Sequence, residues 1–144
     1  KENIMFAESL VCLALNVYFE ARNQSTIGQI AVAQVTMNRV RDPRFPNTVC
    51  EVVKQGHTYS WKPELPIKNQ CQFSWWCDGK SDEPKDEDAF QKAMLIATGV
   101  YRQDLDDFVD GATHYHAVYV MPDWSASKQY IVRIDDHIFY RWEH

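Results

Sequence analysis

The chain has 144 residues, and one of that length buries roughly 68–70% of its unfolded surface, enough for one real core. A composition of 45% hydrophobic and 24% charged residues excludes disorder, and no apolar run nears the roughly 20 residues that span a bilayer. A net charge of -5 and a pI near 5.5 argue against nucleic acid and anionic lipid as partners, while 13% aromatic residues exceed what one small core hides and predict rings lining a groove.

The first predicted helix runs from about Asn3 to Arg22, with Phe6, Leu10, Leu13 and Val17 at helical spacing. A second starts at Thr26, where Thr26 and Gln29 stand in capping-box relation, and runs to about Arg41. Its polar positions Gln34, Asn38 and Arg39 interrupt an otherwise apolar cylinder, the pattern of a central helix with a few specific hydrogen bonds. Asp42-Pro43-Arg44-Phe45-Pro46-Asn47 breaks the helix, because proline lacks an N–H and biases its predecessor away from the helical region. Thr48 and Glu51 open a short helix that Gly56 ends. From His57 to Gln70 an irregular loop carries Tyr59, Trp61, Pro63 and Pro66, and a solvated acidic loop fills Asp78 to Asp88. A third long helix covers about Glu87 to Tyr101, with Phe90, Met94, Ala97 and Tyr101 on one stripe. The period then changes to two at Thr113 to Tyr119, Tyr130 to Ile134 and Ile138 to Trp142, with Asp135-Asp136-His137 as a turn. The sum is an α+β fold, mainly helical, with a small C-terminal antiparallel sheet and one domain over 1–144.

Cys12, inside an apolar helix, is expected to be a small buried hydrophobe, whereas Cys50, Cys71 and Cys77 lie on loop-rich sequence where one disulfide can form in three pairings. The absence of a CxxC pair excludes a zinc ribbon. The opening KENIMF lacks the succession of regions of a secretion signal, so export is expected through a leader already removed or by another route.

Glu20 is the first candidate for chemistry. A carboxyl at the end of an apolar helix, next to Tyr18 and Phe19, loses hydration of its charged form, so its pKa should rise toward the range of a general acid. The plain alternative is a helix-end carboxylate paired with Arg22. The block Tyr18-Phe19-Glu20-Ala21-Arg22, followed in order by Gly28 to Ala33, Asn38-Arg39-Val40, Pro46 to Cys50, Cys71 to Trp75, Cys77-Asp78-Gly79, Gly111 to His116 and His137 to Tyr140, closely resembles the SleB-like cell wall hydrolases, typified by the spore cortex-lytic enzyme.

That resemblance implies a lysozyme-like fold cleaving the β-1,4 bond between N-acetylmuramic acid and N-acetylglucosamine. It implies a lytic transglycosylase, with peptidoglycan glycan strands as substrate, a monomeric enzyme without metal or cofactor, and action in the bacterial envelope, with phage-encoded members among the relatives. The family's catalytic glutamate falls on Glu20. Many members carry a second acid four positions later, where this chain has Gln24, so the acid/base work rests on Glu20 alone. Asp78, Asp110 and Asp123 are the other acids considered, each read as a surface or turn residue.

For substrate binding the resemblance points to Gln72 and Ser74, on one side of an extended segment, and to Tyr115, placed over the catalytic carboxyl. Trp75, Trp76, Tyr59 and Trp61 are candidates to stack on sugar rings, with at least one of them expected in the core. His114 and His116 at i and i+2 of a strand face one way and are expected at the cleft. With His137 or Glu20 they form the alternative of a zinc peptidoglycan amidase. A hydrolytic muramidase and a non-catalytic glycan-binding module are the other readings. The net charge of -5 implies binding by stacking and hydrogen bonds, hence activity tolerant of salt.

Overall fold

A computed structural model describes residues 2–143. Helix α1 (Glu2–Ala21) leads to α2 (Thr26–Arg41) and the short α3 (Val49–Val53). A hairpin of β1 (Gly56–Tyr59) and β2 (Lys62–Cys71) follows, then a 3-10 turn (Ser74–Cys77) and α4 (Glu87–Tyr101). The chain closes with β3 (His114–Ala117), a second 3-10 turn (Asp123–Ser127), β4 (Gln129–Ile134) and β5 (His137–Arg141), the last three strands forming an antiparallel sheet in the order β3-β5-β4.

An apolar helix on all sides has to be buried, and α2 is: Gly28 through Met37 lie inside without interruption. On one side it meets α1, α3 and α4 in a core that includes Leu13, Val17, Ala33, Val52, Val53 and Ala97. On the other, Ala31, Val32 and Val35 meet Ala112 and Phe139 of the sheet region. Complete burial of a side chain such as Phe139 contributes roughly 1.5–3 kcal/mol.

The polar residues of α2 do the work their pattern implied. Gln34 donates to Asp106 O (2.7 Å) and accepts from Phe108 N (3.0 Å), Asn38 donates to Ala112 O (2.8 Å), and Arg39 Nε donates to Thr113 O (2.7 Å). These bonds hold the 106–113 segment along α2 and so set where β3 begins. At the other end of α2, the cap is Ser25, whose hydroxyl accepts from Gly28 N (3.1 Å), one residue before the expected Thr26. Asp135 accepts from Ser25 N (2.9 Å), and a side chain at Gly28 would run into the Asp135 carboxylate, so a glycine there lets the β4–β5 turn dock on the start of α2.

Two expectations are corrected. Cys12 is not a free hydrophobe: it bonds to Cys50 and ties α1 to α3, while Cys71 bonds to Cys77 around the first 3-10 turn. Linking residues 38 apart stabilises by roughly 3–4 kcal/mol in the chain-entropy picture. The 57–70 segment is not an irregular loop but the β1–β2 hairpin, whose strands are largely exposed and therefore lack the apolar alternation that marks a half-buried strand.

Candidate active site

Glu20 sits in the last turn of α1, half-buried, where the helix ends against β3. Tyr115 projects from β3 and donates its hydroxyl to Glu20 Oε1 in a short hydrogen bond. Burial raises the Glu20 pKa above its ordinary 4.5, and the Tyr115 hydrogen bond and the charge of Arg39 pull it partly back. Burial and the neighbouring Glu20 also push the Tyr115 phenol well above its usual range, so it stays a donor. Arg22 does not pair with Glu20: it turns back along the helix, donating to Tyr18 O (3.2 Å) with its guanidinium 4.7 Å from the Tyr18 ring centre.

The carboxyl opens into a cavity of about 340 Å³ that Phe19, Gln24, Tyr119, Asp136 and His137 also line. A roomier hollow of about 500 Å³ lies between α3 and the hairpin, lined by Lys54, Pro63 and Trp76 among others, but its acids Glu51 and Glu64 are exposed and so lack the setting of Glu20.

Strand alternation sorts the predicted binding residues. In the register of β3 with β5, Tyr115 lies opposite Phe139 and Ala117 opposite His137, so these four share the face toward Glu20. His114 and His116 occupy the other face, which corrects their expected place at the cleft. There His116 engages Ala117 O (2.7 Å) through Nδ1 and the Tyr140 hydroxyl (2.9 Å) through Nε2, and His114 engages the Thr113 hydroxyl (2.9 Å). Both rings pack on Trp124, at 5.2 and 5.7 Å. With both its nitrogens engaged, His116 has none to offer a metal. Among the described residues no group of three or more His, Cys, Asp or Glu is arranged to hold one.

Trp75 is corrected as a sugar contact and is instead a core residue, as expected of at least one of the four candidate stacking aromatics. It is 6% exposed, donates to Asn16 Oδ1 (2.8 Å) and stacks on Phe19 at 5.0 Å, so it supports the pocket wall from behind instead of facing a sugar. Gln72 and Ser74 are exposed on either side of buried Phe73 and do not line the Glu20 cavity. Tyr59 and Trp61 pair at 5.6 Å on the hairpin, and Trp76 lies under Lys54 in the other hollow. Of the acids weighed from sequence, Asp110 pairs with Arg141 (3.1 Å), Asp78 turns back on Lys80 N (2.9 Å), and Asp123 opens the second 3-10 turn.

Two pocket residues, Tyr119 and Asp136, were missed, and a third, His137, was weighed only as a zinc ligand. Tyr119 is 85% exposed and offers a ring at the cavity mouth. His137 is 9% exposed, packs edge-on against Tyr115 at 5.0 Å, and is held below its ordinary pKa by burial. Asp136 is a second carboxylate in the pocket. Gln24 grips it from both sides, accepting from Asp136 N (3.1 Å) and donating to Asp136 Oδ2 (3.3 Å). The period-two pattern that places Tyr115 would have found His137, given the strand register. Nothing local marks Asp136, whose place depends on the turn docking against α2.

Comparison with known proteins bears on the family and the fold. A family model described as Cell Wall Hydrolase matches residues 23–140, starting just beyond Glu20. The spore cortex-lytic enzyme of Halalkalibacterium halodurans is 32% identical over 132 residues, an alignment covering 88% of this chain and 33% of that protein. The Bacillus subtilis enzyme of the same name is 49% identical over 41 residues, 28% of this chain and 13% of that protein. This chain therefore spans about a third or less of the curated relatives' length. Among solved structures, the catalytic domain of the germination-specific lytic transglycosylase SleB from Bacillus anthracis superposes with a TM-score of 0.65 at 28% identity, covering 92% of this chain and 93% of that one. The SleB catalytic domain of Bacillus cereus gives 0.63 at 27% identity, with 92% and 89% covered. The α+β fold is that of the SleB catalytic domain, and the chain belongs to the Cell Wall Hydrolase family.

Proposed function

We propose that this chain is a peptidoglycan lytic transglycosylase with Glu20 as its acid and base, acting outside the cytoplasm as one catalytic unit and as a monomer. The observation that carries this is the desolvated Glu20 carboxyl, bonded by Tyr115 and opening into a polar cavity with an exposed aromatic ring. A raised pKa favours the protonated carboxyl, which can give its proton to the glycosidic oxygen. The C1–O bond breaks with its electron pair going to that oxygen, and positive charge develops at the muramic C1. Glu20, now a carboxylate, takes the proton of the muramic C6 hydroxyl as O6 bonds to C1. The product is a 1,6-anhydro end, and Glu20 is protonated again. Tyr115 holds the carboxyl in place throughout, and Tyr119 offers its face to a sugar ring.

Gln72 and Ser74 remain candidates for contacts further along the strand, outside the Glu20 cavity. Asp136 favours a second reading, a hydrolytic muramidase, since two carboxyls across one pocket can divide acid and base work with a water between them.

Digestion of purified sacculi followed by mass spectrometry of the fragments tests both. Anhydro ends support the transglycosylase, reducing muramic ends one water heavier establish the muramidase, and freed stem peptides exclude either. Glu20→Gln should lower the rate by at least about 10²-fold. A folded variant that keeps most of its activity would overturn the role of Glu20.

A further inference from the structure

His137 opens β5 on the face of the sheet that carries Tyr115, lines the Glu20 cavity and is 9% exposed. Its ring packs edge-on against Tyr115 at 5.0 Å and against Phe139 at 6.2 Å, so two neighbours fix its orientation. Its nitrogens are unspent. Nδ1 is buried with no hydrogen-bond partner, and Nε2 meets no partner among the described residues either, although it is not closed off as Nδ1 is. His116 on the opposite face engages both of its nitrogens within the protein.

Buried polar groups are nearly always paired, and an orphaned N–H is the rarer kind of exception. With no acceptor beside Nδ1, the ring proton belongs on Nε2. Burial also holds this imidazole below its ordinary pKa, so it meets the cavity as a neutral N–H donor. The other polar groups there are committed or loose. Tyr115 gives its hydroxyl to Glu20, and Gln24 gives its amide to Asn23 Oδ1 (3.2 Å) and Asp136 Oδ2 (3.3 Å). Arg22, Asn23 and Tyr119 are exposed side chains at the edge of the cavity. His137 is therefore a packed donor with nothing in the protein to bond.

We propose that His137 is a substrate-binding residue whose Nε2–H donates to the acetamido oxygen of an N-acetylhexosamine seated beside Glu20. This rests on the reading of peptidoglycan glycan strands as substrate. Among the groups such a sugar presents, the amide oxygen is the strongest neutral acceptor, and a donor already held by packing loses little freedom in meeting it. Tyr119 then offers a ring face at the mouth while His137 reads the substituent inside.

The test follows the histidine ring nitrogens of Glu20→Gln by long-range proton–nitrogen NMR as solubilised glycan strands are added. In the free protein Nε2 should carry the proton and Nδ1 should be bare. Saturation should move the His137 Nε2 resonance and leave those of His116 in place. Cellotetraose, which has the same β-1,4 chain with hydroxyls where the strands carry acetamido groups, should leave both unmoved. In the otherwise wild-type enzyme, His137→Phe keeps a ring against Tyr115 and should raise KM on the strands about three- to tenfold, the worth of one neutral hydrogen bond, with kcat within about twofold. A proton on Nδ1, an Nε2 resonance unmoved by saturating strands or moved as far by cellotetraose, or an unchanged KM in folded His137→Phe overturns the proposal. The NMR arm needs no change at position 137, so it decides the matter even if His137→Phe does not fold. Strands neither bound nor cut by the wild type would instead overturn the reading of the substrate, whereas strands that are cut without engaging His137 overturn this inference alone.

Discussion

The two faces of β3 carry residues of similar chemistry put to opposite uses. On one face a tyrosine and, across the register, a histidine surround a carboxyl in an open cavity. On the other, two histidines and Tyr140 close around Trp124, with Trp142 and Phe45 beyond. The difference lies in what the ring atoms meet. His116 satisfies both nitrogens within the protein, whereas Tyr115 directs its one donor at the Glu20 carboxyl, which lines an open cavity. Under the proposed function one face is chemical and the other structural, and the boundary between them is a single residue step along a strand.

The comparison predicts that the two faces fail differently. Tyr115→Phe should lower kcat by about 10²-fold while shifting Tm by no more than a few degrees, because the aromatic packing on Phe139 and His137 survives. A loss below fivefold would place the chemistry elsewhere. His116→Ala should do the reverse. It removes a buried ring and leaves the Tyr140 hydroxyl without its partner, at a cost of about 2–3 kcal/mol seen in chemical denaturation, with activity per folded molecule within about twofold of wild type. Activity lost in proportion beyond the folded fraction would erase the distinction between the faces.

A third prediction sharpens the chemical face through stability. Burial makes Glu20 bind its proton more tightly in the folded chain than in the unfolded one. Between the unfolded value near 4.5 and the higher folded value, the folded state holds more protons, so stability falls as pH rises through that window. Glu20→Gln, which cannot ionise, should therefore melt a few degrees higher than wild type at pH 7, about 1 kcal/mol corresponding to roughly 2–8 °C in a domain of this size. The advantage should vanish in acid below the unfolded value. Equal melting temperatures at both extremes would mean that the carboxyl is not desolvated.

The helices were legible because their apolar spacing and caps are local, and the central place of α2 followed from its having no polar side. The desolvated setting of Glu20 was legible locally, but its meeting with Tyr115 only with the help of family resemblance, since nothing in the local sequence brings residues 95 apart together. The histidines were misread because Thr113 to Tyr119 shows which residues alternate but not which face meets the core. That is decided by Asn38 and Arg39 pinning Ala112 and Thr113 to α2. The hairpin was missed because exposed strands carry no burial pattern, and the Cys12–Cys50 bond because it links two helices whose approach is tertiary.

The smallest expected effect belongs to the structural face, at His114. Burial, with the charges of Arg39, Lys128 and Arg44 in addition, lowers its pKa to about 3. Its imidazole should therefore show no titration by NMR between pH 7.5 and 4.5, where a solvent-facing histidine passes through its midpoint. The linkage has the opposite sign to that of Glu20. From about 6.5 down toward 3 the unfolded chain takes up a proton that the folded chain refuses, so stability falls as pH drops through that window. The slope is bounded by about 1.4 kcal/mol per pH unit and is smaller wherever solvent reaches the ring. His114→Phe, which keeps the packing against Trp124 and cannot protonate, should flatten the acid side of the Tm profile while leaving catalysis at pH 7 unchanged. A midpoint near 6 for His114, or a loss of activity in His114→Phe, would move this ring from the structural face to the catalytic one.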